Sequence, residues 1–303
     1  MSASPRPAAG QSPARRYRAR QTRTQWLRRL SQLVFVGVIL SAAVTHNLAT
    51  MDGTTPSIDA LCPFGGFETL WTWISSGGSF VPKTHLSNLV LALGLLIAVL
   101  VSGGAFCGWV CPFGALQDAL NWIRARMRLP EMHVPNWLDR VLRYGRYVVL
   151  GLILYKTAAS VTLMFADIDP YRTIFSLEWL FNFNPTEHLT AYVVAGVVLG
   201  LSLVIERAWC RYLCPLGGAI SLLGNLSLLR IRRSSDGCKS CSLCERPCPV
   251  KLNVATVQTV SSDCIGCLAC VQACPRHDTL DVQLAPTWWP WRQRPAAKQP
   301  AGD

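Results

Sequence analysis

The chain has 303 residues, half of them hydrophobic and only 15% charged, with a formal net charge of +12. A soluble domain carries about 25% charged residues, so the composition excludes an ordinary soluble globular chain. The basic excess does not imply a nucleic-acid partner, because the arginines flank apolar runs instead of forming a separate recognition fold.

In chain order, residues 1–29 hold eight arginines and no acid, and read as a basic cytoplasmic tail with a disordered Pro- and Ala-containing start. Four apolar stretches follow at about 30–49, 86–106, 148–166 and 189–205. Each approaches the ~20 residues that span a bilayer. The first could be a secretory signal with Arg28 and Arg29 as its flank, but no small-residue cleavage site follows, so a retained helix is expected. Arginines also crowd the segments 107–147 and 206–233, whereas the segments 50–85 and 167–187 are acidic. Basic residues stay on the cytoplasmic side. The expected topology is therefore an all-α bundle of four transmembrane helices with both termini on the cytoplasmic side.

The second and fourth stretches lead into related motifs. Phe106-Cys107-Gly108-Trp109-Val110-Cys111-Pro112-Phe113-Gly114 is echoed by Trp209-Cys210-Arg211-Tyr212-Leu213-Cys214-Pro215-Leu216-Gly217. The membrane domain, 30–229, thus reads as two parallel helical hairpins related by an axis along the membrane normal. Cysteines four apart share one helix face, and proline after the second cysteine suits the start of a new helix. Cys107, Cys111, Cys210 and Cys214 are candidate redox residues that could bind one further metal centre. Buried free cysteines or a redox dithiol are the competing readings.

On the opposite side, Cys62-Pro63-Phe64-Gly65 echoes Cys111–Gly114, and His46, His85 and His188 lie near span ends. Cys and His together can hold a soft metal. The plainer reading is a set of interfacial polar residues within an aromatic belt. Lys156 falls inside the third stretch, where an ionisable group is costly and often functional. Glu206 and Asp118 are candidate proton groups near the inner face.

The last part of the chain fixes the chemistry. Cys238, Cys241, Cys244 and Cys248-Pro249 give C-x2-C-x2-C-x3-C-P, and Cys264, Cys267, Cys270 and Cys274-Pro275 repeat it. This is the bacterial ferredoxin spacing, in which the fourth cysteine of each motif ligates the other cluster. Cluster A is assigned to Cys238, Cys241, Cys244 and Cys274, and cluster B to Cys264, Cys267, Cys270 and Cys248. Structural zinc uses separated C-x2-C pairs, and disulfides need an oxidising compartment. Residues 230–285 are expected to form a small α+β domain holding two [4Fe–4S] clusters on the cytoplasmic side. The tail 286–303, with Trp288-Trp289-Pro290-Trp291, could rest on headgroups or dock a partner.

C-x3-C-P motifs after apolar helices, followed by two ferredoxin motifs, resemble the NapH/NosR-type membrane polyferredoxins. The likeness covers 30–275. It implies electron exchange between the quinone pool and a partner redox protein through the two clusters. No outer loop is long enough for a domain, so any periplasmic flavin or haem step would belong to a partner. Copper-handling relatives leave a metal-handling reductase or assembly factor as the alternative function, with a cluster-based redox sensor as a third.

Overall fold

The computed structural model describes residues 13–48, 62–75, 77, 86–132, 134–160, 168–181, 183–184, 186–234, 238, 240–276 and 279–284. His85, the end of the third predicted span and the tryptophan-rich tail lie outside them.

The described chain is mostly helical. Helix α1 runs Pro13–Leu48, α2 Pro63–Ser75, α3 Leu86–Ser102, α4 Ala105–Trp109, α5 Pro112–Arg126, α6 Asn136–Leu142 and α7 Gly145–Ser160. Then come α8 Pro170–Phe175, α9 Glu178–Phe181, α10 Leu189–Val204, α11 Ala208–Tyr212 and α12 Pro215–Leu223, closed by a 3-10 turn Gly224–Leu226. The first predicted span is the second half of a 36-residue helix. Among the described residues, Arg23–Leu48 is the one helix long and apolar enough to cross a membrane; Val90–Ser102, Leu189–Val204 and Pro215–Leu226 are shorter apolar helices. At about 1.5 Å per residue, α10 and the described parts of α3 and α7 are about 24–26 Å long.

Three short helices, α2, α8 and α9, stand in segments read as connecting loops. Helix α2 begins at Pro63 directly after Cys62, and α8 begins at Pro170 directly after Asp169. Asp169 caps α8 by accepting the Tyr171 amide at 2.9 Å. An Asx residue followed by proline is a recognised helix start, so this signal was present in the sequence. Helix α2 packs along α3 and against α7, while α8 packs on α10 and α1. Their apolar residues fill one core with the long helices, including Phe64, Val99, Phe113, Phe175, Val198 and Leu216.

The ferredoxin unit is bracketed by two strands. Strand β1, Leu229–Arg233, pairs antiparallel with β2, Leu280–Leu284, in the register Leu229↔Leu284 to Arg233↔Leu280. The pairing brings the two ends of the cysteine-rich segment together. Between them lie the cysteine loops and one short helix, α13, Ala269–Ala273. A second core forms there from Ile231, Val254, Val260, Leu280 and cysteines.

Candidate metal centres and their junction

The eight ferredoxin cysteines separate into two groups of four. Cys238, Cys241, Cys244 and Cys274 line one cavity of about 240 Å³, beside Arg233 and Arg276. Cys248, Cys264, Cys267 and Cys270 line a tighter one, walled by Val250, Leu252 and Ile265. In each group the fourth cysteine comes from the other motif. None of the thirteen cysteines is in a disulfide.

The loops suit a cubane. Ser240 and Ser242 have positive φ (51° and 54°), and so do Gly266 and Leu268 at the equivalent places of the second motif (60° and 59°). These left-handed turns rotate successive amides toward the sulfurs. The Ser240 amide donates to Cys238 Sγ, Gly266 to Cys264 Sγ and Leu252 to Cys248 Sγ, each at 3.4 Å. Such donors stabilise cluster sulfur and tune its potential. Among the described residues, no three His, Cys, Asp or Glu side chains stand close enough to hold a single metal ion. Four thiols around a cavity fit a larger inorganic core better than one ion.

The four C-x3-C-P cysteines meet where the ferredoxin unit rests on the helices. The expected shared helix face is not found. Cys107 lies in α4 and Cys210 in α11, whereas Cys111 and Cys214 are the N-caps of α5 and α12. Pro112 and Pro215 start the next helices and break the first ones. The break aims the second sulfur of each motif at a helix N-terminus: the Gly217 amide donates to Cys214 Sγ at 3.3 Å. From the opposite repeat, Gln117 Nε2 donates to Cys210 Sγ at 3.0 Å. Burial pushes the Cys107 thiol up, neighbouring Cys111 and Cys210 add to this, and Arg207 counters it. Burial raises Cys210 to about 11.

Arg207 supplies the local positive charge. It is fully buried, and its Nε and Nη2 pair with Asp118 Oδ1 and Oδ2 at 2.8 Å each. Its Nη1 also donates to the Cys107 carbonyl at 3.1 Å. Arg28 and Gln32 of α1 reach the same carboxylate. Burial opposes ionisation of Asp118, but Arg207 and Arg28 outweigh it and hold the carboxyl below its usual range. Asp118 is therefore a fixed anion. Glu206 is the contrasting case: burial raises it, and Asn121 donates to it at 2.7 Å with Lys251 at 3.6 Å.

The ferredoxin unit sits on the first motif at backbone distance. A Cβ added to Gly108 would lie 2.2 Å from the Ile265 carbonyl, and one on Gly104 2.4 Å from the Cys264 carbonyl. Trp109 Nε1 donates to the Gly266 carbonyl at 2.9 Å. Cys107 packs in the same cluster as Cys248, Ile265 and Cys267. Asp263 ties the unit to the helices through Arg146, Arg143 at 3.6 Å and Ser221 at 2.5 Å. At the places equivalent to Gly104 and Gly108, the second motif carries Arg207 and Arg211.

Among the described residues, Cys62, His46 and His188 form no three-residue group that could hold a metal ion. Cys62 is buried and donates to Asp169 Oδ2 at 3.6 Å, inside the helical core that also holds Cys111 and Tyr171. His46 lies in the last turn of α1, and His188 is exposed before α10. Lys156 is an exposed residue of α7. Sequence reasoning missed Gln117, Arg207 and Asp169 as parts of the thiol-bearing core.

Comparisons with known proteins agree with this arrangement. A family described as "4Fe-4S binding domain" matches 84–130 and again 187–234, and a "4Fe-4S dicluster domain" matches 230–275. The first pair of matches covers the two helix-plus-motif repeats. YccM of Escherichia coli, named for electron transport, is 28% identical over 291 residues, 92% of this chain and 78% of that one. The ferredoxin-type protein NapH of Escherichia coli is 28% identical over 272 residues, 87% and 89% of the two chains. The regulatory protein NosR of Pseudomonas aeruginosa is 32% identical over 170 residues, 55% of this chain but only 23% of that one. No solved structure matches. The resemblance to the NapH/NosR-type polyferredoxins holds, and the chain is an iron–sulfur protein of electron transport.

Proposed function

We propose that this polyferredoxin-type chain exchanges electrons between the quinone pool and a partner redox protein through two [4Fe–4S] clusters. Cluster A is held by Cys238, Cys241, Cys244 and Cys274, and cluster B by Cys264, Cys267, Cys270 and Cys248. The clusters supply one-electron transfer; the protein holds them at the end of a helical membrane domain. The observation that carries this reading is the seating of the Cys264–Cys267 loop on Gly104 and Gly108. In this reading cluster B, rather than cluster A, lies against the helices.

In this reading α1, α3, α7 and α10 cross a bacterial cytoplasmic membrane, with α2 and α8 re-entering it. Charge supports that orientation: Arg28, Arg124, Arg143, Arg146, Arg207 and Arg211 all belong to the ion-paired layer next to the ferredoxin unit. Basic residues mark the cytoplasmic face. Cys107, Cys111, Cys210 and Cys214 bridge the bilayer side and cluster B, and a third iron–sulfur centre among them is supported by the double match to a four-iron domain.

Anaerobic iron analysis with EPR during quinol addition tests the proposal. Two cubanes give about eight irons per chain, and a third centre gives more. Fewer than eight in fully loaded protein, or clusters that dithionite reduces and quinol does not, would count against it.

A further inference from the structure

A third cavity, of about 200 Å³, borders the thiol-lined cavity of cluster B, sharing Ile231, Val260, Cys264 and Leu268 with it, at the seam between the end of α3 and the ferredoxin unit. Trp109, Gly224, Arg230, Ser261, Ser262 and Cys264 are among the residues that line it. The volume is below the roughly 300–1,000 Å³ of pockets for whole drug-sized ligands, so it suits a single ring. Its lining is largely apolar, with Gly103, Ala105, Leu229, Ile231, Val260 and Val282 between the polar groups. Arg230 is the one charged lining residue, held by its Nη2 to the Gly224 carbonyl at 2.6 Å and by its Nε to Ser227 Oγ at 3.3 Å. One cation and a few hydroxyls match ring carbonyl oxygens; a phosphate would call for more positive charge. Exposed apolar residues adjoin the cavity in sequence at Val101, Leu222 and Leu226, which are 42%, 55% and 51% exposed. They offer a track for an apolar tail.

We propose that this cavity is where a quinone head ring binds, with Arg230 and the serine hydroxyls on its oxygens and the Cys264 ligand of cluster B at its wall. The inference rests on the quinone reading above and gives it a location. In the oxidising direction, the two O–H bonds of a quinol break and two carbonyls form. Two protons leave to water, and two electrons pass one at a time to the two oxidised clusters. The reverse direction runs the same balance backwards.

The test is photolabelling of the cluster-loaded full chain with a short-tailed azidoquinone, followed by peptide mapping. Labels on the segments around Trp109, 224–231 or 258–264, competed by unlabelled quinone, are expected. Gly224→Leu should fill the site, because a Cβ there meets Ser262 and Gly103 only at 3.5 and 3.9 Å and longer atoms would project onward. It should cut labelling at least tenfold with unchanged cluster absorbance, while Gly224→Ala labels normally. Arg230→Gln, which keeps the backbone undisturbed, should weaken labelling by a similar factor. Labelling elsewhere, or unchanged labelling in both Gly224→Leu and Arg230→Gln, overturns the site. If quinol reduces the clusters of wild type and both variants alike, the site falls and the quinone reading stands. If quinol reduces none and no label binds, both fall.

Discussion

Cys62 and Asp169 meet at 3.6 Å, sulfur to carboxylate, and they occupy matching places in the two halves of the helical domain. Each directly precedes the proline that opens a short helix, and each short helix lies between the two long helices of its half. The echo of Cys111–Gly114 at Cys62–Gly65 is therefore structural: Cys62, Cys111 and Cys214 each directly precede the proline that opens a helix.

Asp169→Ala removes both the Tyr171 cap and the acceptor for Cys62. Loss of an N-cap costs about 1 kcal/mol, and an orphaned buried donor about as much again. The unfolding free energy in detergent should fall by about 2 kcal/mol, with iron content unchanged. Loss of iron would place Cys62 and Asp169 in a metal site instead.

Gly108→Ala should unseat the ferredoxin unit. The added methyl would fall 2.2 Å from the Ile265 carbonyl, against 3.2 Å from the Cys210 carbonyl for Gly217→Ala. Quinol-driven reduction of the clusters should slow at least tenfold in the first variant while dithionite still reduces them. The second should behave nearly as wild type. Equal rates in both would show that contact with the first motif is dispensable.

Arg207→Met leaves Asp118 with Arg28 and Gln32, whereas Asp118→Asn strands a fully buried guanidinium. Breaking a buried pair from one side costs about 3–5 kcal/mol, so Asp118→Asn should be the more damaging of the two in thermal melts. The double variant should recover part of the loss. Additive effects would mean the pair is not coupled.

Cysteine replacement separates the clusters. Cys244→Ser should lower iron by about four per chain and remove one cubane EPR signal, and Cys270→Ser should remove the other. Loss of the same signal in both variants would refute the division into two groups.

The docking contacts predict an acid limit. Burial disfavours the Asp263 carboxylate, but Arg146 and Ser221 outweigh it and hold its pKa below the usual value. A group lowered on folding stabilises above its unfolded pKa, and this is lost as pH falls through the folded value. Stability should be flat from pH 8 to 5 on this account and fall below about 4. Asp263→Asn should remove that part of the decline. A melting temperature that tracks pH between 5 and 8 equally in both proteins would point to another group.

Local spacing made some of this legible. The C-x2-C-x2-C-x3-C-P motifs announce their chemistry because a cubane demands converging thiolates, and Pro112 and Pro215 announce helix starts. The repeat was visible because Cys107–Gly114 and Cys210–Gly217 align residue for residue. What stayed hidden depends on packing. Arginine flanks at 124, 143, 146, 207 and 211 read as topology signals, yet each is ion-paired. No pattern in the chain says that Asp118 pairs with Arg207 and Arg28, that Asp139 takes Arg143 and Arg211, or that Asp263 reaches back across the seam. Helices α2 and α8 were missed because glycines and polar residues dilute their apolar character, although Cys62-Pro63 and Asp169-Pro170 marked their starts.

The replacement of Gly104 and Gly108 in one half by Arg207 and Arg211 in the other has a consequence for assembly. A duplicated core with two equal faces would offer its appended domain two berths, and a population of chains would divide between them. Only the glycine face lets a carbonyl-lined loop settle against bare backbone; the arginine face is already occupied by its own side chains. Two residues in each half thus convert a near-twofold scaffold into a molecule with a single wiring diagram.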